Sequence, residues 1–202
     1  MTDGKSFNNT IVLAVFAGAA LLAGCADKPD EKTVEERKMV TLETTKGNIV
    51  IELDEQAAPV TTANFLRYVE EGFYDGVIFH RVIPDFMIQT GGFTADMKQK
   101  SPHEPIVNEA SNGLKNKRGT LSMARTNDPN SATSQFFINQ VDNAYLDYVQ
   151  GRNPGYAVFG KVVDGMDVVD AVAGVETTNK GPHQDVPVEP VIIKSAKVTS
   201  GK

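Results

Sequence analysis

The sequence predicts a mainly β domain, a barrel or sandwich with only two helices, and three observations carry that reading. Its apolar runs are short, β-branched or aromatic, and separated by Gly, Pro or Asn. Apolar residues recur at spacings of three and four in only two places, after Pro59 and before Gly174. No repeat or second domain is visible in the 202 residues, a length at which one domain buries a full core.

At the front, Lys5 is the only positive charge before an apolar run from Ile11 to Leu22. That run is shorter than the roughly 20 residues that cross a bilayer as a helix, so a cleaved export signal fits better than a membrane span. The sole cysteine, Cys25, follows Leu22-Ala23-Gly24 and resembles the lipobox of bacterial lipoproteins, in which the cysteine is lipidated and becomes the mature N-terminus. The expectation is a lipoprotein signal peptide over 1–24, then a lipidated Cys25 and a charged tether over 25–38. Asp3, which cancels Lys5, favours the alternative of an ordinary secreted form. Ala26 in place of aspartate, by analogy with enterobacterial sorting, favours the outer membrane over the inner one, and hence a lipid-anchored periplasmic protein of the cell envelope. The tether carries Pro29 and few apolar residues, and as a coil it spans on the order of 20 Å.

Next, Val40-Leu42 and Ile49-Ile51-Leu53 alternate with polar residues around Lys46-Gly47, the pattern of a hairpin with one buried face. Pro59 suits the first position of a helix, Phe65, Leu66, Val69 and Phe73 share one helical face, and Gly72 suits its end. Met166, Val169 and Ala173, stopped by Gly174, predict a second short helix. Val191-Ile192-Ile193 to Val198 reads as a closing strand.

Between these elements lie the two stretches richest in chemistry, Phe79 to Gln89 and Ser134 to Ile138, which set polar groups inside apolar, strand-like runs. At strand period Arg81 shares a face with Phe79 and Ile83, and an arginine in apolar company is expected to be paired or to face a ligand. After a turn at Pro84-Asp85, Phe86, Met87 and Gln89 offer an aromatic wall, an adaptable thioether and an amide that both donates and accepts. That set suits a small apolar ring flanked by peptide groups, and a prolyl peptide is such an object.

The formal charge of −6 with no basic block gives no footprint for nucleic acid. Lys115 to Arg118 is expected to be a solvated turn. The histidines at 80, 103 and 183 lack metal-site spacing and have no cysteine partners, so no metal is expected. Ser122, Ser131, Thr133 and Ser134 have no motif that supplies a base and are read as surface or turn hydroxyls.

The ordered runs Phe79-His80-Arg81-Val82-Ile83-Pro84 with Phe86-Met87-Ile88-Gln89, Leu121 to Arg125, Ser134 to Ile138, Tyr145-Leu146-Asp147 and Val158 to Val162 closely resemble the cyclophilins, a family of peptidyl-prolyl cis-trans isomerases. The resemblance extends from about Met39 to Val198. Asn108-Glu109-Ala110, Met123 to Thr126, Ser131 to Ser134 and Gly155 to Gly160 are most similar to the periplasmic cyclophilins of Gram-negative bacteria. It implies a closed antiparallel barrel of eight strands with a helix over each end, spanning 39–200. It also implies catalysis without a cofactor on proline-containing, unfolded or partly folded exported polypeptides.

By the same resemblance Arg81 is the catalytic arginine, and Phe86, Met87, Phe137 and Leu146 hold the proline ring. Gln89 and the backbone at Arg125 anchor the peptide on either side. Ala124, Thr126 and Gln135 lie about the pocket for residues preceding proline. Three departures from the best-known eukaryotic pattern stand out: Tyr145 replaces a tryptophan, Arg125 an asparagine and Tyr156 a histidine. Cyclosporin is therefore expected to bind weakly, since Tyr145 lacks the indole N–H. The competing reading is a proline-directed binding module or holdase chaperone with little turnover.

Overall fold

The computed structural model describes residues 38–200; the expected signal peptide, Cys25 and the tether up to residue 37 lie outside the described residues. Lys38, expected to end the tether, already opens β1 (Lys38–Thr44), which forms a hairpin with β2 (Gly47–Leu53). The two-residue loop is Thr45-Lys46, one residue earlier than expected, with Val40 opposite Ile51 and Leu42 opposite Ile49. Thr44 closes it from inside, its hydroxyl donating to Gly47 O (2.7 Å) and accepting from Lys46 N (3.0 Å).

Helix α1 (Pro59–Glu70) begins on its proline as expected. Its end is a C-terminal cap: Gly72, at φ 65°, donates to Val69 O, and Phe73 donates to Tyr68 O. Phe73 thus lies beyond the helix, and the cap brings its ring 4.7 Å from that of Tyr68. The remaining elements are β3 (Arg81–Ile83), β4 (Met87–Thr90), β5 (Thr120–Met123), β6 (Phe136–Asn139), β7 (Val158–Asp164), α2 (Met166–Ala173), β8 (Thr177–Lys180), β9 (His183–Pro187) and β10 (Ile193–Ser200). The β8–β9 hairpin was not foreseen.

One eight-stranded antiparallel sheet, in the order β10-β1-β2-β7-β5-β6-β4-β3, curls around the core as a half-barrel. The expected closed barrel is not what the pairing shows. No ladder joins the edge strands β3 and β10, because β3 has only three residues and the chain ahead of it runs through turns. The edges meet instead at one bridge, Ile78 to Ile192, flanked by bonds from Gly76 N to Ile193 O, Ile193 N to Val77 O and Phe79 N to Val191 O.

The sheet uses its two faces differently. Val82 of β3, Ile88 of β4 and Phe136 and Ile138 of β6 point into the main core, where Phe65 of α1 packs on Tyr74, Phe136 and Phe159. Ile83, Met87 and Phe137, one step out of phase, form a second cluster with Phe86, Ala124, Leu146 and Tyr156. Phe79 belongs to the main core, so it does not share Arg81's face; residues 79–80 precede the strand, and the two-residue period does not extend through them.

The segment from Lys115 to Arg118 is more than a solvated turn. Asn116 is buried, and Arg118 grips both carboxylate oxygens of Asp170 in α2 at 2.9 and 2.7 Å. Helix α1 is capped from a distance too: its N-cap residue, Ala58, has no side-chain acceptor, and Glu109 takes that role. Glu109 accepts from Val60 N (3.1 Å), Thr61 N (2.7 Å) and the Thr61 hydroxyl (2.7 Å). Glu109→Ala is expected to cost about 1–2 kcal/mol in urea unfolding, as loss of a good helix cap does, with Glu109→Gln recovering part of it.

Candidate active site

Strand order and phase place the site on the outer face of β3, β4 and β6. Arg81 pairs with Gln89 across β3–β4, and Gln89 pairs with Phe137 across β4–β6, so the three side chains form a row. The loop over residues 84–86 turns tightly between β3 and β4, with Asp85 at φ 57°, and carries Phe86. Beside the row, Arg81, Phe86, Met87, Gln89, Ala124, Arg125, Phe137, Leu146 and Tyr156 line one cavity of about 120 Å³.

Three of the residues assigned by resemblance stand off this cavity. Thr126 is in an exposed loop, where its N–H and hydroxyl bond the hydroxyl of Ser131 (2.9 and 2.8 Å). Tyr145 stands at the rim, 66% exposed, its ring 5.8 Å from that of Phe86. Gln135 lines a neighbouring cavity and accepts from Gln89 Nε2 at 3.0 Å, leaving Gln89 Oε1 to meet a peptide N–H. Gly92 makes room for this arrangement, since a Cβ there would come within 2.7–2.8 Å of the Gln135 side chain.

The arginines are used differently. Arg125 donates through Nε to Gly155 O (3.0 Å) and through Nη1 to Thr126 O (2.8 Å), and its guanidinium lies 4.4 Å from the centre of the Tyr156 ring. Its side chain is therefore part of the cavity wall, while its backbone N–H and C=O make no hydrogen bond among the described residues. The Arg81 guanidinium makes none either; its ion-pair partner is Asp185 of β9, with Nε to Oδ2 at 3.9 Å, both side chains about two-fifths exposed. Among the described residues its five N–H donors thus make no hydrogen bond, which leaves them able to serve a ligand.

Under the cavity runs a buried amide network that the sequence reading missed. Ser122, expected as a surface or turn hydroxyl, is fully buried and donates to Asn116 Oδ1 (2.7 Å). Asn139 donates to the same oxygen (3.3 Å), and Asn143 donates to Asn139 Oδ1 (2.8 Å) and Phe86 O (3.0 Å). Asp147 accepts from Asn116 N (2.7 Å), and Tyr156 N donates to Leu146 O (3.0 Å). Ser134, the other misread hydroxyl, is buried and donates to Gly91 O at 2.7 Å. A signal was available in the recurrence of Asn at 116, 139 and 143 around apolar runs.

His80, beside Arg81, is 5% exposed, and its Nδ1 is buried without a hydrogen-bond partner among the described residues. Burial, helped by nearby His183, lowers its pKa to about 4. The ring is therefore neutral near pH 7, and turnover is expected to be nearly flat from about pH 6 to 8.5, without the limb of a histidine general base near 6.5. For stability the sign is definite: below about pH 6.5 the unfolded chain takes up a proton that the folded one refuses. Stability should fall between about pH 6.5 and 4 by on the order of 3 kcal/mol from this group, then level off. Urea midpoints against pH should show that slope, and His80→Gln should flatten it.

Comparison with known proteins agrees with this geometry. Residues 39–198 match the model of the family described as cyclophilin type peptidyl-prolyl cis-trans isomerase. The chain is 60% identical over 159 residues to peptidyl-prolyl cis-trans isomerase A of Dickeya dadantii, covering 79% of this chain and 83% of that protein. It is 59% identical over 165 residues to peptidyl-prolyl cis-trans isomerase B of Escherichia coli, covering 80% and 99%. A cyclophilin type isomerase of Cryptosporidium parvum, solved in the presence of the dipeptide Ala-Pro, superposes with a TM-score of 0.67 at 28% identity, covering 81% of this chain and 99% of that one. The chain belongs to the cyclophilin-type peptidyl-prolyl cis-trans isomerases.

Proposed function

We propose that this isomerase accelerates rotation about X-Pro bonds in exported polypeptides, that Arg81 is its catalytic group, and that it works in the cell envelope on a lipid anchor at Cys25. The observation that carries the catalytic part is a guanidinium with unspent donors at the edge of a cavity of about 120 Å³ walled on one side by Phe86, Met87, Phe137 and Leu146.

Unaided, the X-Pro bond crosses a barrier of roughly 18–20 kcal/mol. In the planar ground state the prolyl nitrogen's lone pair is delocalised into the carbonyl; in the twisted state it localises and accepts a hydrogen bond. A donor that reaches it only then binds the transition state selectively, and each tenfold in rate requires about 1.4 kcal/mol of such preference. Phe86, Met87, Phe137 and Leu146 hold the ring, while Gln89 and the Arg125 backbone hold the flanks, so that one side rotates against the other. No covalent step and no proton transfer is involved.

Arg81→Ala should lower catalysed exchange about a hundredfold or more, a loss of about 2.7 kcal/mol or greater, while peptide affinity falls much less. Phe137→Ala should weaken affinity along with rate. NMR exchange and binding titration on the same X-Pro peptide check both. Equal losses of rate and affinity in the arginine variant would make Arg81 a ground-state anchor, and binding without exchange by the intact protein would favour the holdase.

The envelope assignment rests on the apolar run from Ile11 and the Leu22-Ala23-Gly24 that precedes Cys25. Cys25→Ser should release the protein from the membrane fraction or leave an uncleaved precursor. Unchanged mass and distribution would overturn the lipid anchor.

A further inference from the structure

The β8–β9 hairpin is a two-stranded sheet of its own, outside the eight-stranded one, yet β9 packs along β3, the strand that opens with Arg81. Val186 and Pro187 anchor the end of β9, both of them buried. Just before them the ladder is irregular. Lys180 pairs with His183 and Thr178 with Val186, so Asn179 alone stands opposite two residues, Gln184 and Asp185. Asp185 occupies this bulge at φ 58°, a left-handed backbone that glycine usually supplies.

A bulge bends its strand and re-aims a side chain, and a side-chain-bearing residue held in left-handed backbone is local strain. Here both serve one contact: the Asp185 carboxylate has a single partner among the described residues, the Arg81 guanidinium, with Nε to Oδ2 at 3.9 Å. That distance is too long for a hydrogen bond, so the charges attract while no donor is consumed. An arginine side chain has several rotatable bonds, and the freedom it loses on meeting a transition state opposes catalysis. A carboxylate beside Nε limits that freedom in advance and leaves both Nη groups unbonded.

We propose that Asp185 is a positioning residue for the isomerase reaction: the bulge in β9 sets its carboxylate beside Nε of Arg81, which steadies the guanidinium at the cavity edge without using its donors. The inference rests on the isomerase reading and on Arg81 as its catalytic group.

The informative change is Asp185→Asn, because asparagine matches aspartate in size and tolerates left-handed backbone as well, so that only the charge is removed. NMR exchange and binding titration on one X-Pro peptide compare the unmodified protein with Asp185→Asn, Arg81→Ala and the double variant, and a urea midpoint is taken for each. Asp185→Asn should lower kcat about three- to fivefold, the range open to a partly exposed ion pair, with peptide affinity and urea midpoint unchanged. In the Arg81→Ala background the same change should have no further effect, since the carboxylate acts only through the guanidinium. Salt near about 1 M screens exposed charges and should bring the unmodified protein to within about twofold of Asp185→Asn. An undiminished kcat in Asp185→Asn, a loss shared by affinity or by the urea midpoint, a loss that persists without Arg81, or a difference that salt leaves unmoved would overturn the positioning role alone. Full turnover by Arg81→Ala would overturn the catalytic assignment and this inference with it, and absence of catalysed exchange by the unmodified protein would overturn the isomerase reading as well.

Discussion

The site depends on strand phase. In β3, β4 and β6 the inward residues Val82, Ile88 and Ile138 have no exposure at all, and their burial fixes which side chains face out. A slip of one residue would turn Arg81 and Gln89 into the aromatic core and Val82 and Ile88 into water. Burying an unpaired guanidinium in apolar surroundings is costly enough that such a register is not populated. The core therefore orients the row of Arg81, Gln89 and Phe137 from behind.

What the phase cannot supply is the shape of the cavity floor, because Phe86, Leu146 and Tyr156 come from loops. Those loops are tied by Asn116, Asn139 and Asn143, whose amides join the Phe86 carbonyl, the turn over Ala144–Leu146 and Asp147 to the underside of the sheet. Apolar packing alone is tolerant of small shifts, whereas directional bonds in a low-dielectric interior hold atoms in one arrangement and penalise departures from it. A cavity of about 120 Å³ would be altered by small displacements of its walls, so a polar foundation suits it.

How legible all this was in the sequence follows from the range of the interactions. The first hairpin and both helices are local patterns of period 2 or 3.6, and they were read within a residue or so. Phe73 was misassigned to the α1 helix because the cap reproduces a helical contact after the helix has ended. Glu109 on α1 and Arg118 on Asp170 join residues about 50 positions apart, which no periodicity encodes. Nine of the residues assigned by resemblance share one cavity, whereas Thr126, Gln135 and Tyr145 stand around it, a distinction that loop paths decide. The β8–β9 hairpin, built on the polar residues Thr177–Lys180, carries no apolar alternation that would reveal a strand.

The contrast among Arg81, Arg118 and Arg125 bears on the proposed mechanism. Arg118 and Arg125 have committed donors to protein oxygens and act as clamps. Arg81 retains only a long, half-exposed ion pair, a kind of contact worth at most about 1 kcal/mol. About two-fifths of its side chain is exposed, so its donors are open to solvent, neither orphaned nor locked. Under the proposed mechanism, the best acceptor for these donors arises only when the prolyl nitrogen of a bound peptide pyramidalises. Had Asp185 gripped the guanidinium as Asp170 grips Arg118, the donors would be spent before the substrate twisted, and the ground and transition states would be bound alike.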